Sequence, residues 1–351
     1  MQTLFAQRFA AARSMSGLSL QQLADRLGGV LSKQALHKYE QGNAYPSSKV
    51  LIPLAQALSV PVDFFFSEPE PQAELVHVEF RKRTRLSKTR QAVIIARCND
   101  HLRRYLELTQ LLAEEKLPRA FSFHEVVCDA DAVERAAEIL RQDWDLGHDP
   151  IPSVLLMLED NGYTVAEIDA EALFDGLKGE AGPHRLIAVN RHFDTCRIRF
   201  TALHELAHHL LVFPEHMPEK EREKLCHTFA GAVLLPASKA REAIRQNRTN
   251  FYLPELELLK SYWGISIAAI FARARHLGLI SEYVYTRFNK IYRSSSYHKD
   301  EPGRYPGIER ACRFEQLLYR GVAEERITVN QAAMLANLSV GELRNRLEQG
   351  S

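Results

Sequence analysis

The chain is arranged around residues 200–213, which read Phe200-Thr201-Ala202-Leu203-His204-Glu205-Leu206-Ala207-His208-His209-Leu210-Leu211-Val212-Phe213. The apolar residues of this segment recur at helical spacing, which predicts one buried helix. His204 and His208 are four residues apart, so their imidazoles project from one face of that helix, one turn apart. The pair can therefore hold a metal ion between two ring nitrogens.

Glu205 follows the first of these histidines, where its carboxylate could take a proton from a water molecule that a metal activates. This is the arrangement of the His-Glu-x-x-His motif of zinc peptidases. Because the motif is short, the same residues can also meet by chance on a core helix. Burial of a polar trio costs desolvation free energy, however, and a divalent metal would satisfy both nitrogens. The pattern therefore favours a zinc site over coincidence.

A catalytic zinc takes three protein ligands and keeps one position for water, so a third ligand is needed. The extended version of the motif, with a third histidine, is absent here. Downstream, residues 219–236 are amphipathic and predict a second helix with one buried stripe. Glu223 enters this stripe from its N-terminal end, whereas Glu219 and Glu221 fit a solvated, charged start. We therefore predict Glu223 as the third ligand, with His227 one turn further on.

These segments resemble the ImmA/IrrE family of metallopeptidases, a group within the gluzincins. The resemblance covers about residues 130–290 and rests on Arg199-Phe200-Thr201, His204-Glu205-x-x-His208, Glu223, Phe229-Ala230 and Leu234-Leu235-Pro236. It implies zinc ligands at His204, His208 and Glu223, with Glu205 as general base and acid. Family members usually carry asparagine or aspartate four residues after the ligand glutamate, and His227 stands there instead. A residue at that position orients the first ligand histidine.

Composition is that of an ordinary globular protein: 351 residues, 46% hydrophobic and 25% charged, enough for two or three domains. The 45 basic and 44 acidic side chains give no global attraction to nucleic acid, so any such binding must be local. The five cysteines are widely spaced without a Cys-x-x-Cys pair, which argues against a disulfide framework. No apolar run of about 18 residues occurs, so we expect a cytoplasmic protein without a membrane segment.

Residues 1–68 predict a separate all-α unit. Serine caps at Ser19 and Ser32 begin two short helices, and glycines at Gly28 and Gly42 end them. Two such helices within a compact helical unit are typical of a helix-turn-helix. The unit resembles the Xre/Cro-like repressor family in its Leu-Ala-x-x-Leu-Gly turn region, Tyr39-Glu40-x-Gly42 and Leu54-Ala55-x-Ala57-Leu58.

On that interpretation, Lys33, Gln34, His37 and Lys38 face the major groove of DNA. Lysine can donate to guanine and glutamine can pair with adenine, so this face suits base readout. A dimer would place two recognition helices about 34 Å apart and would read a palindromic operator. The alternative is a helical module that docks a protein partner. The turn at residues 28–31 is about two residues longer than is usual for the family.

Between these domains, residues 67–72 predict a stiff, acidic, proline-rich linker. A strand at residues 76–81 runs into the basic segment 81–85, which can be a solvated edge or a phosphate contact. Further elements are predicted as helices at 91–114, 131–144, 151–161, 255–262 and 266–277, and as strands at 164–168 and 186–190. A small sheet before the active-site helix gives an α+β catalytic domain, and its edge could bind an extended peptide.

The predicted fold class is multidomain and mainly α. Its parts are a helix-turn-helix domain (1–68), a linker, strand and bridging helix (69–129), a zinc-peptidase domain (130–290) and a helical C-terminal region (291–351). In that last region, residues 327–347 predict two short helices that are interpreted as serving packing or dimerisation, with a second DNA-binding helix-turn-helix as the alternative.

The predicted function is that of a transcription-linked zinc endopeptidase that binds DNA and cleaves a regulatory protein such as a repressor, with one zinc per chain. The alternative is a DNA-binding regulator or antitoxin whose metal site senses or stabilises without cleaving. Tyr252, His209 and His184 remain open as groups that could support the oxyanion.

Overall fold

The computed structural model describes residues 4–66, 75–80 and 86–349. Its elements confirm a mainly helical, multidomain fold. The helices are α1 (Leu4–Ser16), α2 (Leu20–Arg26), α3 (Lys33–Glu40), α4 (Ser48–Leu58), α5 (Lys88–Leu111), α6 (Ala130–Asp143), α7 (Val154–Asp160), α8 (Thr195–Leu210), α9 (Glu219–Leu234), α10 (Ala237–Ile244), α11 (Leu253–Trp263), α12 (Ile267–His276), α13 (Glu282–Ser294), α14 (Arg313–Ala323), α15 (Val329–Ala336) and α16 (Val340–Gln349). The strands are β1 (Val76–Phe80), β2 (Thr164–Ile168), β3 (Gly176–Ala181) and β4 (His184–Asn190).

Helices α1–α4 and a short 3-10 helix (Val62–Phe66) enclose their own apolar core. As predicted, the side chains of Ser19 and Ser32 accept the backbone N–H groups that open α2 and α3. Gly28 and Gly29 both have positive φ, at 64° and 80°, in the turn between these helices. Positive φ values favour glycine, which explains why the longer turn contains two consecutive glycines.

The sheet has the strand order β1-β3-β4-β2. β2 pairs with β4 in parallel, while β3 pairs with both β4 and β1 in antiparallel fashion. The predicted strands at 164–168 and 186–190 are present, and the predicted strand at 76–81 is present up to Phe80. β3 was not predicted. The linker at 67–72 and the basic segment 81–85 lie outside the described residues.

Helix α8 packs against β3, β4, α7 and α9, so it occupies the centre of the predicted α+β domain. The core around it is the largest apolar cluster in the described residues and includes Leu203, Leu206 and Phe229. The predicted helical spacing of these leucines is therefore what buries the helix.

Helix α5 connects three parts of the molecule. Arg97 donates to the carbonyl oxygen of Met15 in α1 at 3.0 Å. Arg104 donates to the carbonyl oxygen of Leu335 at 2.9 Å, and Asn337 donates to Asp100 at 3.1 Å. α14, α15 and α16 share an apolar cluster with α5, so the C-terminal helices pack within the chain. Among the described helices, none is both long and apolar enough to cross a membrane.

Candidate metal centre

Three side chains from α8 and α9 converge on one point. The Nε2 atoms of His204 and His208 lie 3.1 Å apart. Oε1 of Glu223 lies 3.1 Å from Nε2 of His208, and Oε2 lies 3.6 Å from Nε2 of His204. Ligands placed tetrahedrally about 2.0–2.1 Å from a zinc ion lie about 3.3 Å from one another. The two imidazole nitrogens and the two carboxylate oxygens therefore lie at separations close to those between the ligands of a zinc ion.

Burial and charge distinguish this cluster from a surface contact. His204 is only 2% exposed. Burial alone would raise the pKa of Glu223, but hydrogen bonds from His204 and His208 outweigh it and hold that pKa well below its usual range. Burial would likewise lower the pKa of His208, yet Cys226 and Glu223 together raise it to about 10. The carboxylate thus favours positive charge between the imidazoles, which a proton or a metal cation can supply.

Glu205 lies next to His204 on α8 and is 3% exposed. Its neighbour in the sheet is Gly176 of β3: a Cβ atom there would lie 3.3 Å from Cγ of Glu205 and 2.7 Å from a methyl carbon of Thr201. The absence of a side chain at Gly176 therefore lets the strand approach the part of the helix that carries Thr201 and Glu205. This requirement for space also accounts for a glycine inside a strand.

His227 and Cys226 surround the predicted ligands from α9. The rings of His227 and His204 are tilted against each other with centroids 4.4 Å apart, and Nδ1 of His227 donates to the carbonyl oxygen of Glu223. Sγ of the buried Cys226 lies 3.8 Å from Nδ1 of His208. From the sequence, Cys226 is expected only beside the buried stripe of this helix, without a role at the metal site. Its signal was the three-residue spacing from Glu223, which puts both side chains on one face of α9.

Arg199 precedes this site on α8 and is fully buried. Its guanidinium donates to Glu309 at 2.7 Å and to the carbonyl oxygens of Gly264 and Ile151 at 3.0 and 2.7 Å. Glu309 also accepts the backbone N–H of Leu155 at 2.6 Å. Glu309, from the predicted C-terminal region, thus contributes a buried carboxylate to the core around α8. The contacts of Arg199 are all with the protein itself, so its role is structural.

The three candidates for oxyanion support occupy different surroundings. His209 is buried toward the sheet, where Nε2 donates to the carbonyl oxygen of Leu186 at 3.2 Å, and burial lowers its pKa to about 3. His184 lies 3.3 Å from Glu115. Tyr252 precedes α11 and is 75% exposed. His209 therefore faces the strands of the sheet, and the ion-pair partner of His184 is Glu115.

A cleft of about 470 Å³ opens beside His227. Phe200, Gly231 and Tyr285 give it an apolar wall, and Lys224 and Arg275 lie along it. His227 lines this cleft and also packs against His204, so a single side chain separates the cleft from the first of the converging histidines.

In the N-terminal domain, the predicted DNA contacts Lys33, Gln34, His37 and Lys38 are all exposed on α3. Leu36, on the opposite side, is buried in the core of the domain. The helix therefore presents its polar face to solvent, as base readout requires.

Comparison with known proteins assigns both regions. Residues 9–65 match the model of the helix-turn-helix family, and residues 159–275 match that of the IrrE N-terminal-like domain, peptidase family M78. A SPbeta prophage-derived HTH-type transcriptional regulator, YonR, of Bacillus subtilis is 36% identical over 72 residues, 20% of this chain and 65% of the relative. A transcriptional regulator in the ATPase CF(0) region of Rhodospirillum rubrum is 41% identical over 64 residues, 18% of this chain and 57% of the relative. The chain therefore spans less than two thirds of either relative.

Proposed function

We propose that this chain, which joins a helix-turn-helix domain to an IrrE N-terminal-like peptidase domain, is a DNA-binding zinc endopeptidase that cleaves a regulatory protein such as a repressor. The observation that carries the proposal is the spacing of 3.1, 3.1 and 3.6 Å among the ligand atoms of His204, His208 and Glu223. Two imidazoles and one carboxylate are a ligand set that suits zinc and leaves a position for water.

Zinc bound here would act as a Lewis acid and lower the pKa of a water molecule. His204, His208 and Glu223 would hold the ion, and Cys226 would fix the ring of His208 through Nδ1. Glu205, held against Gly176, takes the proton from water and returns it to the leaving amine of the cleaved peptide bond.

Replacement of Glu205 tests the peptidase. Glu205→Gln keeps the shape of the side chain without its basicity, so we expect unchanged zinc content and a loss of cleavage of about 10²–10⁴-fold. Because the substrate is a cellular protein, new N-termini are compared by mass spectrometry in cells that make the wild type or Glu205→Gln. Cleavage sites in a DNA-binding regulator that depend on Glu205 support the proposal. Identical sets of new N-termini in both strains would contradict the proposed peptidase activity.

The named relatives suggest one alternative, because both are described as uncharacterized transcriptional regulators. On that alternative the protein binds DNA, and its metal site is sensory or structural. Selection of binding sites from random duplexes with the full-length chain tests the shared element. We expect a roughly palindromic sequence from a homodimer, and Lys33→Ala or Gln34→Ala should relax sequence preference more than affinity. An enriched operator together with no Glu205-dependent cleavage would favour the regulator.

A further inference from the structure

The two outer edges of the sheet differ in what lies beside them. β2 packs against α5, and His101 of that helix hydrogen-bonds the backbone of Val165. β1 forms the opposite edge, next to β3. An edge strand presents unpaired N–H and C=O groups that attract another extended chain. The side of the sheet where an extended peptide can add is therefore the side of β3 and β1.

β3 runs along the active-site helix. Gly176 lies against Glu205, Nζ of Lys178 donates to the carbonyl oxygen of His208 at 3.2 Å, and Oε1 of Glu180 lies 3.7 Å from Nδ1 of His209. At about 100° per residue around α8, Glu205 lies between the sheet-facing His209 and the ligand His208. The proposed metal ligands therefore lie on the side of the sheet where β3 is, beyond β4, and a strand added next to β3 would lie closer to them.

That next position is held by β1. Its register places Glu79 opposite Lys178 and Phe80 opposite Leu177. The backbone of β1 therefore lies level with the turn of α8 that carries Glu205 and His208. β1 lies outside residues 159–275, which match the peptidase family, and belongs to the segment between the two domains.

We propose that β1 occupies the edge of β3 on which an extended peptide substrate pairs, so that the segment joining the two domains competes with substrate for this edge. The inference rests on the proposed peptidase function and adds a resident competitor to it. A substrate chain adds to β3 as an antiparallel strand only after β1 leaves.

Described contacts at the start of β1 can be changed without touching the proposed metal ligands. The N–H of Leu75 donates to Oδ1 of Asn99 at 2.9 Å. Leu75 and Val78 pack, partly buried, on the apolar cluster that contains Leu177. A Cβ atom on Gly179 would lie 2.9 Å from a methyl carbon of Leu75, so the glycine makes room for that side chain.

A peptide with the sequence of residues 74–82, Glu-Leu-Val-His-Val-Glu-Phe-Arg-Lys, serves as the probe. It is labelled with fluorescein, and its binding to the zinc-loaded full chain is followed by fluorescence anisotropy in the Glu205→Gln background, where no cleavage interferes. Leu75→Asp/Val78→Asp should loosen β1 and raise the peptide affinity by about tenfold or more, because two partly buried aliphatic contacts are lost. Leu258→Asp, at an exposed leucine of α11, is the control and should leave the affinity unchanged.

A reversible disulfide between β1 and β3, called the lock below, tests whether the peptide binds at the edge of β3. Val76 and Glu180 are opposed across β1 and β3, so Val76→Cys/Glu180→Cys can join the strands by a disulfide. In the loosened variant, the oxidised lock should abolish peptide binding and reduction should restore it. If the loosened variant does not fold, the lock in the otherwise unchanged chain carries the same test at higher peptide concentration.

The proposed competition would be overturned if the disulfide variant bound the peptide equally well when oxidised and when reduced. It would also be overturned if Leu75→Asp/Val78→Asp bound the peptide no better than the parent chain. Failure of the peptide to bind when β1 is loosened would overturn it as well. Because binding is measured without cleavage, absence of peptidase activity would sink the proposed function while leaving this binding result in place. Conversely, an active peptidase with equal peptide binding would refute only the competition.

Discussion

Helix α8 buries polar side chains at two places, Arg199 and the pair His204 and His208, and these places differ in what satisfies them. Arg199 finds a carboxylate and several carbonyl oxygens, all fixed within the protein. The two histidines instead turn their Nε2 atoms toward each other and toward one shared carboxylate, Glu223.

This difference separates a structural site from a binding site. A buried guanidinium whose donors all meet acceptors is stabilised by its own protein, and the cost of burying it is already offset. Two imidazole nitrogens 3.1 Å apart need a cation between them or a proton shared by them. Burial alone therefore does not distinguish a structural polar side chain from one that binds a ligand. The distinction lies in whether its polar atoms meet partners within the protein or converge on a shared point.

The largest expected effect concerns metal content. The wild-type protein should carry about one zinc per chain, and His204→Ala or Glu223→Ala should lose it. At a thousandfold excess over the dissociation constant, zinc should add about 4 kcal/mol to the free energy of unfolding of the wild type. Zinc measured by mass spectrometry, with thermal unfolding in parallel, checks both. Glu219→Ala and Glu221→Ala, at exposed positions of α9, are the matched controls. Full metal in Glu223→Ala with loss in either control would show that the third ligand is misassigned.

The second effect should appear in stability. Arg199→Met leaves the buried carboxylate of Glu309 without its cation, so we expect a loss of about 3–5 kcal/mol in the free energy of unfolding, measured by denaturant titration of the zinc-free protein. Arg197→Met is the control on the same helix: its side chain is 51% exposed, and its ion pair with Asp175 should contribute about 1 kcal/mol or less. Similar losses for Arg197→Met and Arg199→Met would erase the distinction between the two clusters.

The smallest effect concerns the contact between Cys226 and His208. Removal of a group that orients a ligand histidine typically weakens metal affinity by about 10–100-fold, and a soft thiol contact should lie near the lower end. Cys226→Ala should therefore bind zinc about tenfold more weakly, with unchanged stoichiometry, in competition with a chromogenic chelator. Cys226→Ser should retain most of the affinity, because a hydroxyl can still meet Nδ1. Cys196→Ala, at another buried cysteine, should leave the affinity unaltered; an equal loss there would mean that packing, not orientation, is responsible.

Prediction from sequence worked where the signal was local. The apolar spacing around His204 predicted α8, and a glutamate at the head of an apolar stripe placed Glu223 beside the histidines. The exposed face of α3 followed in the same way from Leu36, which had to be buried. Each of these inferences uses only the 3.6-residue period of a helix and the preference of apolar groups for the core.

Prediction failed where the signal was distant or was itself a glycine. β3 reads Gly-Leu-Lys-Gly-Glu-Ala, and glycine has low strand propensity, so no strand was predicted. Its glycines make sense only against their neighbours: Gly176 makes room for Glu205 and Gly179 for Leu75. Likewise, no local pattern pairs Arg199 with Glu309, which lies 110 residues further along the chain.

The sequence by itself determined the two helices that carry His204, His208 and Glu223 and the exposed face of α3, because helical period and capping are local properties of the chain. Only the tertiary structure decided which buried polar groups are satisfied within the protein, that Cys226 meets His208, and that β1 forms the edge of the sheet beside β3. These depend on contacts between segments far apart in sequence, whose geometry is fixed when sheet and helices pack together and the remaining polar groups must find partners.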